Sequence, residues 1–208
     1  MRKLKNWTVI MKSIQSKGDN NLKGLLSLYN YIYDIKNTHS NHQHKGHQVV
    51  GFEKVNNRDK ILRNFANIQQ KMDLNHSLKQ GKKASGRKSS YGSSILLSLP
   101  NEIKLENKDY KKIRDLILIK LIDLISQEYN LNYSAEQRNK YITNYILSTV
   151  HLQPNSNNHI NILIPNVFID YNNNNQLIRA NLGKKKISYS IKQNFNSIMK
   201  EHFNKNYL

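Results

Sequence analysis

Residues 148–166 read STVHLQPNSNNHINILIPN, and the reading of this stretch decides the fold. An apolar, β-branched run ends on His151, a polar turn follows, and His159 and Asn161 then alternate with Ile160, Ile162 and Ile164. Successive side chains of a strand point to opposite faces, so His159 and Asn161 share one face and the isoleucines take the other. A neighbouring strand ending at His151 brings a third donor beside them. Two imidazoles and an amide oxygen converging on one point form a donor set for a divalent cation. The same pattern also describes the solvated face of an ordinary hairpin, so spacing alone leaves both readings open.

Working outward, Tyr145 to Leu152 and Ile160 to Ile169 are the expected strands of this unit. A turn at Asn172 to Asn175, residues that tolerate positive φ, leads to a further strand at Leu177 to Leu182. Upstream, Lys108 to Tyr129 carries Ile113, Leu116, Ile117, Leu121, Leu124 and Ile125 on one broad face and predicts the central packing helix. Ser134, with Gln137 three residues later, caps a short helix. Ser94 to Leu99 is a buried strand stopped by Pro100. Trp7 to Ile14 reads as a first strand, and Asp19 or Asn20 caps a helix running to residue 37. Its buried stripe is Leu25, Leu28, Ile32 and Ile35, with Tyr31 and Tyr33 placed where a cleft could reach them. Val49 to Val55 is a short strand, Arg58 to Leu74 a helix, and Ile191, Phe195, Ile198, Met199 and Phe203 mark a final amphipathic helix. Strands interleaved with helices around a hairpin indicate one α+β domain spanning residues 1–208, with a mostly antiparallel central sheet flanked by helices.

Two polar segments interrupt this pattern. Residues 38–48, THSNHQHKGHQ, carry His39, His42, His44 and His47 without apolar neighbours to fix them. Four histidines in so short a run could bind a metal adventitiously, but the expectation is a mobile loop at about 37–48 that plays no part in the metal site. Residues 79–90, KQGKKASGRKSS, cannot pack a core and read as a flexible linker or phosphate-contacting loop at about 79–92.

The chain has 33 Lys and Arg against 14 Asp and Glu, a formal net charge of +19, which points to a polyanionic partner, nucleic acid first and an anionic membrane surface second. Cysteine is absent, which removes disulfides and thiolate metal sites and fits a cytoplasmic location. The longest apolar run, Leu116 to Ile125, is interrupted by Lys120 and Asp123 and is too short and too charged for a membrane span.

Together, these motifs resemble a known family. MKSIQSKGDNNLKGLLSLYNYIYD, residues 11–34, is similar to the N-terminal segment of plasmid-mobilisation relaxases, where a strand and basic turn lead into a helix carrying a tyrosine nucleophile. VHLQPNSNNHINILIPN resembles the metal motif of the same proteins, which belong to the endonuclease superfamily named for its His-hydrophobic-His core. The intervening strand, proline and long helix from Ser94 to Ile122 follow in the family's order. The resemblance implies a relaxase-like fold, with Tyr31 as the nucleophile, Tyr29 and Tyr33 as the alternatives, and His151, His159 and Asn161 as the metal ligands. Asn161 stands where many members have histidine, and the turn after His151 has Gln153 where many have aspartate.

The implied activity is site- and strand-specific DNA nicking, with Mg²⁺ or Mn²⁺ as cofactor, a 5′-phosphotyrosine intermediate, and accessory mobilisation proteins as possible partners of the transfer origin. A rolling-circle replication initiator of the same superfamily would use the same chemistry. A non-catalytic, basic nucleic-acid-binding protein is the reading from another class. In each case Lys82, Lys83, Arg87, Lys88, Lys184, Lys185 and Lys186 would meet backbone phosphates, setting affinity but not sequence.

Overall fold

A computed structural model describes residues 8–15, 21–34, 36, 38–43, 45–80, 90–100, 103, 105–154 and 156–203. In chain order the elements are β1 (Thr8–Ser13), α1 (Asn21–Ile32), a 3₁₀ turn (Ser40–His42), β2 (Gln48–Gly51), α2 (Val55–Gln80), β3 (Gly92–Leu99) and α3 (Asn107–Glu128). They continue with α4 (Ala135–Tyr145), β4 (Leu147–Leu152), β5 (Asn158–Pro165), β6 (Val167–Asp170), β7 (Gln176–Arg179) and α5 (Lys185–Phe203). Five strands form one sheet in the order β1-β3-β5-β4-β2, antiparallel throughout, and β6 and β7 form a separate hairpin. The α+β architecture with an antiparallel sheet and flanking helices is as expected from the sequence.

The alternation along β5 makes the two sides of the sheet chemically different. Ile160 and Ile162 sit opposite Leu97 and Ile95 of β3, and this face is buried against Ile113, Ile117 and Leu121 of α3 and Ile191 and Phe195 of α5. The other face carries Leu147 and Leu163, which pack against Leu25 and Ile32 of α1 and Ile61 and Phe65 of α2. His151, His159, Thr149 and Asn161 also belong to this second face, since they pair with one another across β4 and β5. The sheet therefore lies between two helical layers, with the polar residues of β4 and β5 beneath α1.

Local chemistry accounts for the element ends. Ser134 and Gln137 form the expected reciprocal capping box on α4, with Ser134 N donating to Gln137 Oε1 at 2.9 Å and Gln137 N donating to Ser134 Oγ at 3.2 Å. Asn174 and Asn175 hold φ values of 50° and 55° in the β6–β7 turn, the left-handed region that asparagine tolerates. The expected strand from Ile160 to Ile169 is divided at Asn166, whose side-chain Oδ1 accepts from Ser93 Oγ at 2.9 Å and whose carbonyl accepts from Ala180 N at 2.7 Å. Those bonds turn the backbone away from the central ladder. The helix α2 runs on to Gln80 because residues 75–80 contain neither Gly nor Pro to stop it. The helix α1 ends at Ile32, earlier than expected, because the Asp34 side chain captures the backbone that follows. Its expected caps, Asp19 and Asn20, lie outside the described residues.

Candidate functional site

The strand register places His151 beside both the hairpin partner and the sheet edge. On one side His151 faces His159 of β5, their ring centres 4.9 Å apart. On the other side it faces Val49 of β2. His47 lies two residues before Val49 and so on the same face, at the edge of the sheet. Gly46 delivers it there: φ is +82°, and a Cβ at this position would meet Pro154 Cγ at 2.7 Å, so the turn seats against the β4–β5 connection as only glycine allows. His42, on the 3₁₀ turn, completes the group. One nitrogen from each of His42, His47 and His151 lies within 4.8 Å of the other two, and all three residues are buried.

The geometry offers a ligand set different from the expected His151, His159 and Asn161. Among the described residues, His42, His47 and His151 are the histidine or acidic group with metal-ligand spacing. His159 flanks it without belonging to it, and Asn161 lies opposite Thr149, one non-neighbouring pair further along the ladder. The reason is the position of β2: it pairs with β4 at the sheet edge, so the segment entering β2 reaches His151 from the side away from β5. The segment expected to be mobile is instead tied down by a single carboxylate. Asp34 Oδ1 accepts from Thr38 N at 2.8 Å and Thr38 Oγ1 at 2.7 Å, and Oδ2 accepts from His39 N at 2.7 Å and His42 Nδ1 at 2.9 Å. His44 lies outside the described residues.

These bonds also orient the imidazoles. The ionised carboxylate of Asp34 can only accept a hydrogen bond from His42 Nδ1, which leaves Nε2 as the atom able to ligate. The carbonyl of Ile32 accepts from His151 Nε2 at 2.9 Å, leaving Nδ1. Both remaining atoms, His42 Nε2 and His151 Nδ1, are buried without a hydrogen-bond partner among the described residues. Such atoms cost about 1–3 kcal/mol each unless something polar meets them. Burial opposes the charge on Asp34, yet donation from Thr38, His39 and His42 outweighs it and holds the carboxyl well below its ordinary range. Burial, reinforced by the neighbouring His159, lowers the His151 pKa to about 3. Burial lowers that of His159 as well. Deprotonated imidazoles are the state that binds a metal.

The three candidate tyrosines separate by helical position. Tyr29 and Tyr33, four residues apart, lie on one side of the helix end with ring centres 4.9 Å apart. Tyr33 donates to Glu53 and also bonds Ser148, and burial together with the Glu53 charge raises its pKa far above the ordinary value. The Tyr29 hydroxyl donates to Asp59 at 3.3 Å, and burial followed by the Asp59 charge raises its pKa as well. Tyr31 points the other way. Its ring centre lies 4.5 Å from that of His42, 6.2 Å from that of His151 and 4.9 Å from that of His39. Tyr31 also lines an open cleft of about 880 Å³ between α1 and the end of β1, with Lys12, Lys23, Asn30, Asp34 and His39 among its walls. It therefore separates the cleft from the buried histidines.

The basic residues expected to meet phosphate fall elsewhere. Lys82, Lys83, Arg87 and Lys88 lie outside the described residues. Lys184 and Lys186 both pair with Glu128, at 3.1 and 2.7 Å, in the α3–α5 layer across the sheet from Tyr31, and Lys185 begins α5 in that same layer. The cleft cations Lys12 and Lys23 are not distinguished in the sequence, because one is a strand residue and the other a helix residue in a chain with many lysines. No known family, curated protein or solved structure matches the chain. No helix among the described residues is long and apolar enough to cross a membrane.

Proposed function

We propose that this chain is a relaxase-like, metal-assisted DNA-nicking transesterase in which Tyr31 is the nucleophile and His42, His47 and His151 hold the cation. The observation that carries this reading is the position of Tyr31, whose ring packs at a tilt against the buried histidine group on one side and opens onto a cleft bearing Lys12 and Lys23 on the other. Tyr29 and Tyr33 are set aside as nucleophiles because each hydroxyl donates a hydrogen bond to a carboxylate whose negative charge disfavours the phenolate.

A divalent cation bound by the three imidazoles would neutralise a non-bridging phosphate oxygen and lower the barrier to attack on a charged diester. Imidazole donors favour Mn²⁺ over Mg²⁺ and also suit Zn²⁺. The Tyr31 oxygen forms a bond to phosphorus as the bond from phosphorus to the 3′-oxygen breaks. The proton lost by Tyr31 is balanced by the one gained on the 3′-hydroxyl. One phosphodiester is exchanged for another, so the reverse attack reseals the strand without an external energy source. Lys12 and Lys23 hold flanking phosphates, and Asp34 keeps His42 in its ligating tautomer.

A second reading rests on a different observation. All three candidate ligands are at most 4 % exposed, and closed metal sites are more often structural than catalytic. In that case the chain is a metal-stabilised nucleic-acid-binding protein without nicking activity. Incubating the protein with supercoiled or single-stranded DNA of its own replicon and Mn²⁺, followed by a denaturing gel, decides between them. The nicking reading expects a covalent adduct that is lost with chelator and in Tyr31→Phe but retained in Tyr29→Phe. Tight binding without an adduct supports the structural reading.

A further inference from the structure

We infer that the cleft beside Tyr31 and the histidine site are thermodynamically linked, so that the metal raises the affinity of the cleft for a single nucleic-acid strand and the strand raises the affinity for the metal. This rests on the polynucleotide reading of the cleft, but not on its catalysing anything.

The linkage follows from shared residues. Asp34, Thr38 and His39 line the cleft. The same Asp34 carboxylate holds His42, and the short segment from Thr38 to His47 supplies both that cleft wall and two of the three candidate ligands. Tyr31 packs T-shaped with the cleft residue His39 and tilted against the candidate ligand His42. The wall and the metal site therefore cannot be ordered independently. Without a cation, His42 Nε2 and His151 Nδ1 are buried with no hydrogen-bond partner among the described residues, a cost that opening of the segment relieves. A cation removes that incentive and fixes the wall.

The ligand class follows from the cleft itself. Lys12 stands on β1 and Lys23 on α1, so cations project from two different elements around one channel. Asn30, Ser27 and Gln15 add uncharged donors and acceptors between them. The open cleft of about 880 Å³ has room for part of a single strand. The chemistry fits a flexible phosphodiester chain.

Linkage of this kind is reciprocal, and couplings between sites typically amount to 5–150-fold. The sign separates it from bulk electrostatics, because added divalent salt weakens polyanion binding by competing for phosphates. The test uses the full chain carrying Tyr31→Phe, so that no covalent step intervenes, and a fluorescein-labelled single-stranded oligodeoxynucleotide read by anisotropy at constant ionic strength. Linkage expects the dissociation constant to be roughly tenfold lower in Mn²⁺ than in chelator. His47→Ala should lose this response to Mn²⁺, and calorimetry on the parent should find Mn²⁺ binding tightened by the oligonucleotide by the same factor. Equal affinities with Mn²⁺ and chelator overturn the linkage, as does a metal response that persists in His47→Ala, which would place the cation on the DNA. Absence of binding under both conditions overturns it together with the polynucleotide reading. Failure of the wild-type protein to nick DNA, by contrast, leaves every one of these measurements in place.

Discussion

Replacing Asp34 with asparagine tests how the site is held together. The carboxylate accepts from four donors, two on each oxygen. An amide keeps one oxygen and turns the other into a donor, so either the Thr38 pair or the His39 and His42 pair loses its acceptor. Thr38 and His39 are exposed and their donors can turn to water, whereas His42 is buried, so the expected loss of stability is about 1–3 kcal/mol. The effect on metal binding is separate. When the amide nitrogen faces His42, the imidazole can accept only by moving its proton to Nε2, the atom that would ligate. Loss of such an orienting partner typically weakens metal binding 10–100-fold, about 1.4–2.7 kcal/mol. Denaturant unfolding in chelator reads the first effect, and calorimetric Mn²⁺ titration of the folded variant reads the second. A variant that is destabilised but binds Mn²⁺ as the parent does would refute the argument that Asp34 orients a ligand. Unchanged stability would refute the claim that it anchors the segment at all.

Four further outcomes are expected. His47→Ala should abolish stoichiometric Mn²⁺ binding, whereas Asn161→Ala should leave it within a few-fold of the parent; the opposite ranking by calorimetry would restore the strand pair as the ligand set. Gly46→Ala must hold a left-handed backbone and push against Pro154. It should lose about 1–2 kcal/mol in chemical denaturation and bind Mn²⁺ less tightly. Tyr33→Phe leaves Glu53 and Ser148 without their shared hydroxyl and should lose about 1–3 kcal/mol of stability while still forming the DNA adduct. Finally, His151 and His159 have folded pKa values below the ordinary 6.5. The unfolded chain therefore binds protons that the folded one excludes, and metal-free stability should fall as the pH drops below about 6.5. Each histidine contributes a slope of at most about 1.4 kcal/mol per pH unit, and for His151 the loss continues to about pH 3. A stability curve flat between neutral pH and the carboxylate range would contradict their burial in the neutral form.

The fold was largely legible because periodicity and punctuation agree along most of the chain. The isoleucines of β5, the stripe of α3 and the Ser134 box each combine a strong pattern with a local signal that fixes its end. The face shared by His151, His159 and Asn161 was likewise readable from alternation. What alternation could not supply was the neighbour on the far side of β4. Strand order is a property of the whole sheet, and β2 reaches that edge from about a hundred residues earlier in the chain. The placement of the histidines of residues 38–48 was not legible because no apolar residue within the segment fixes them. Their restraint comes from Asp34, a carboxylate outside the segment, and from Pro154, on a distant turn. A signal was nonetheless present: His47 precedes Val49 by two residues and so shares its face, and Gly46 before it marks a turn. Similarly, Tyr31 was singled out by context, but only the hydrogen bonds of Tyr29 and Tyr33 distinguish it physically.

The central claim, that Tyr31 attacks DNA across the cleft, is tested most directly by locating the covalent bond. The adduct formed in Mn²⁺ would be trimmed with nuclease, digested with trypsin and fragmented by tandem mass spectrometry. The peptide following Lys23 contains Tyr29, Tyr31 and Tyr33, so the fragment ions discriminate among them. The account predicts a nucleotide phosphate on Tyr31, absent when His42 or His47 is replaced by alanine. Modification at Tyr29 or Tyr33, or an adduct that survives loss of either histidine, would contradict it.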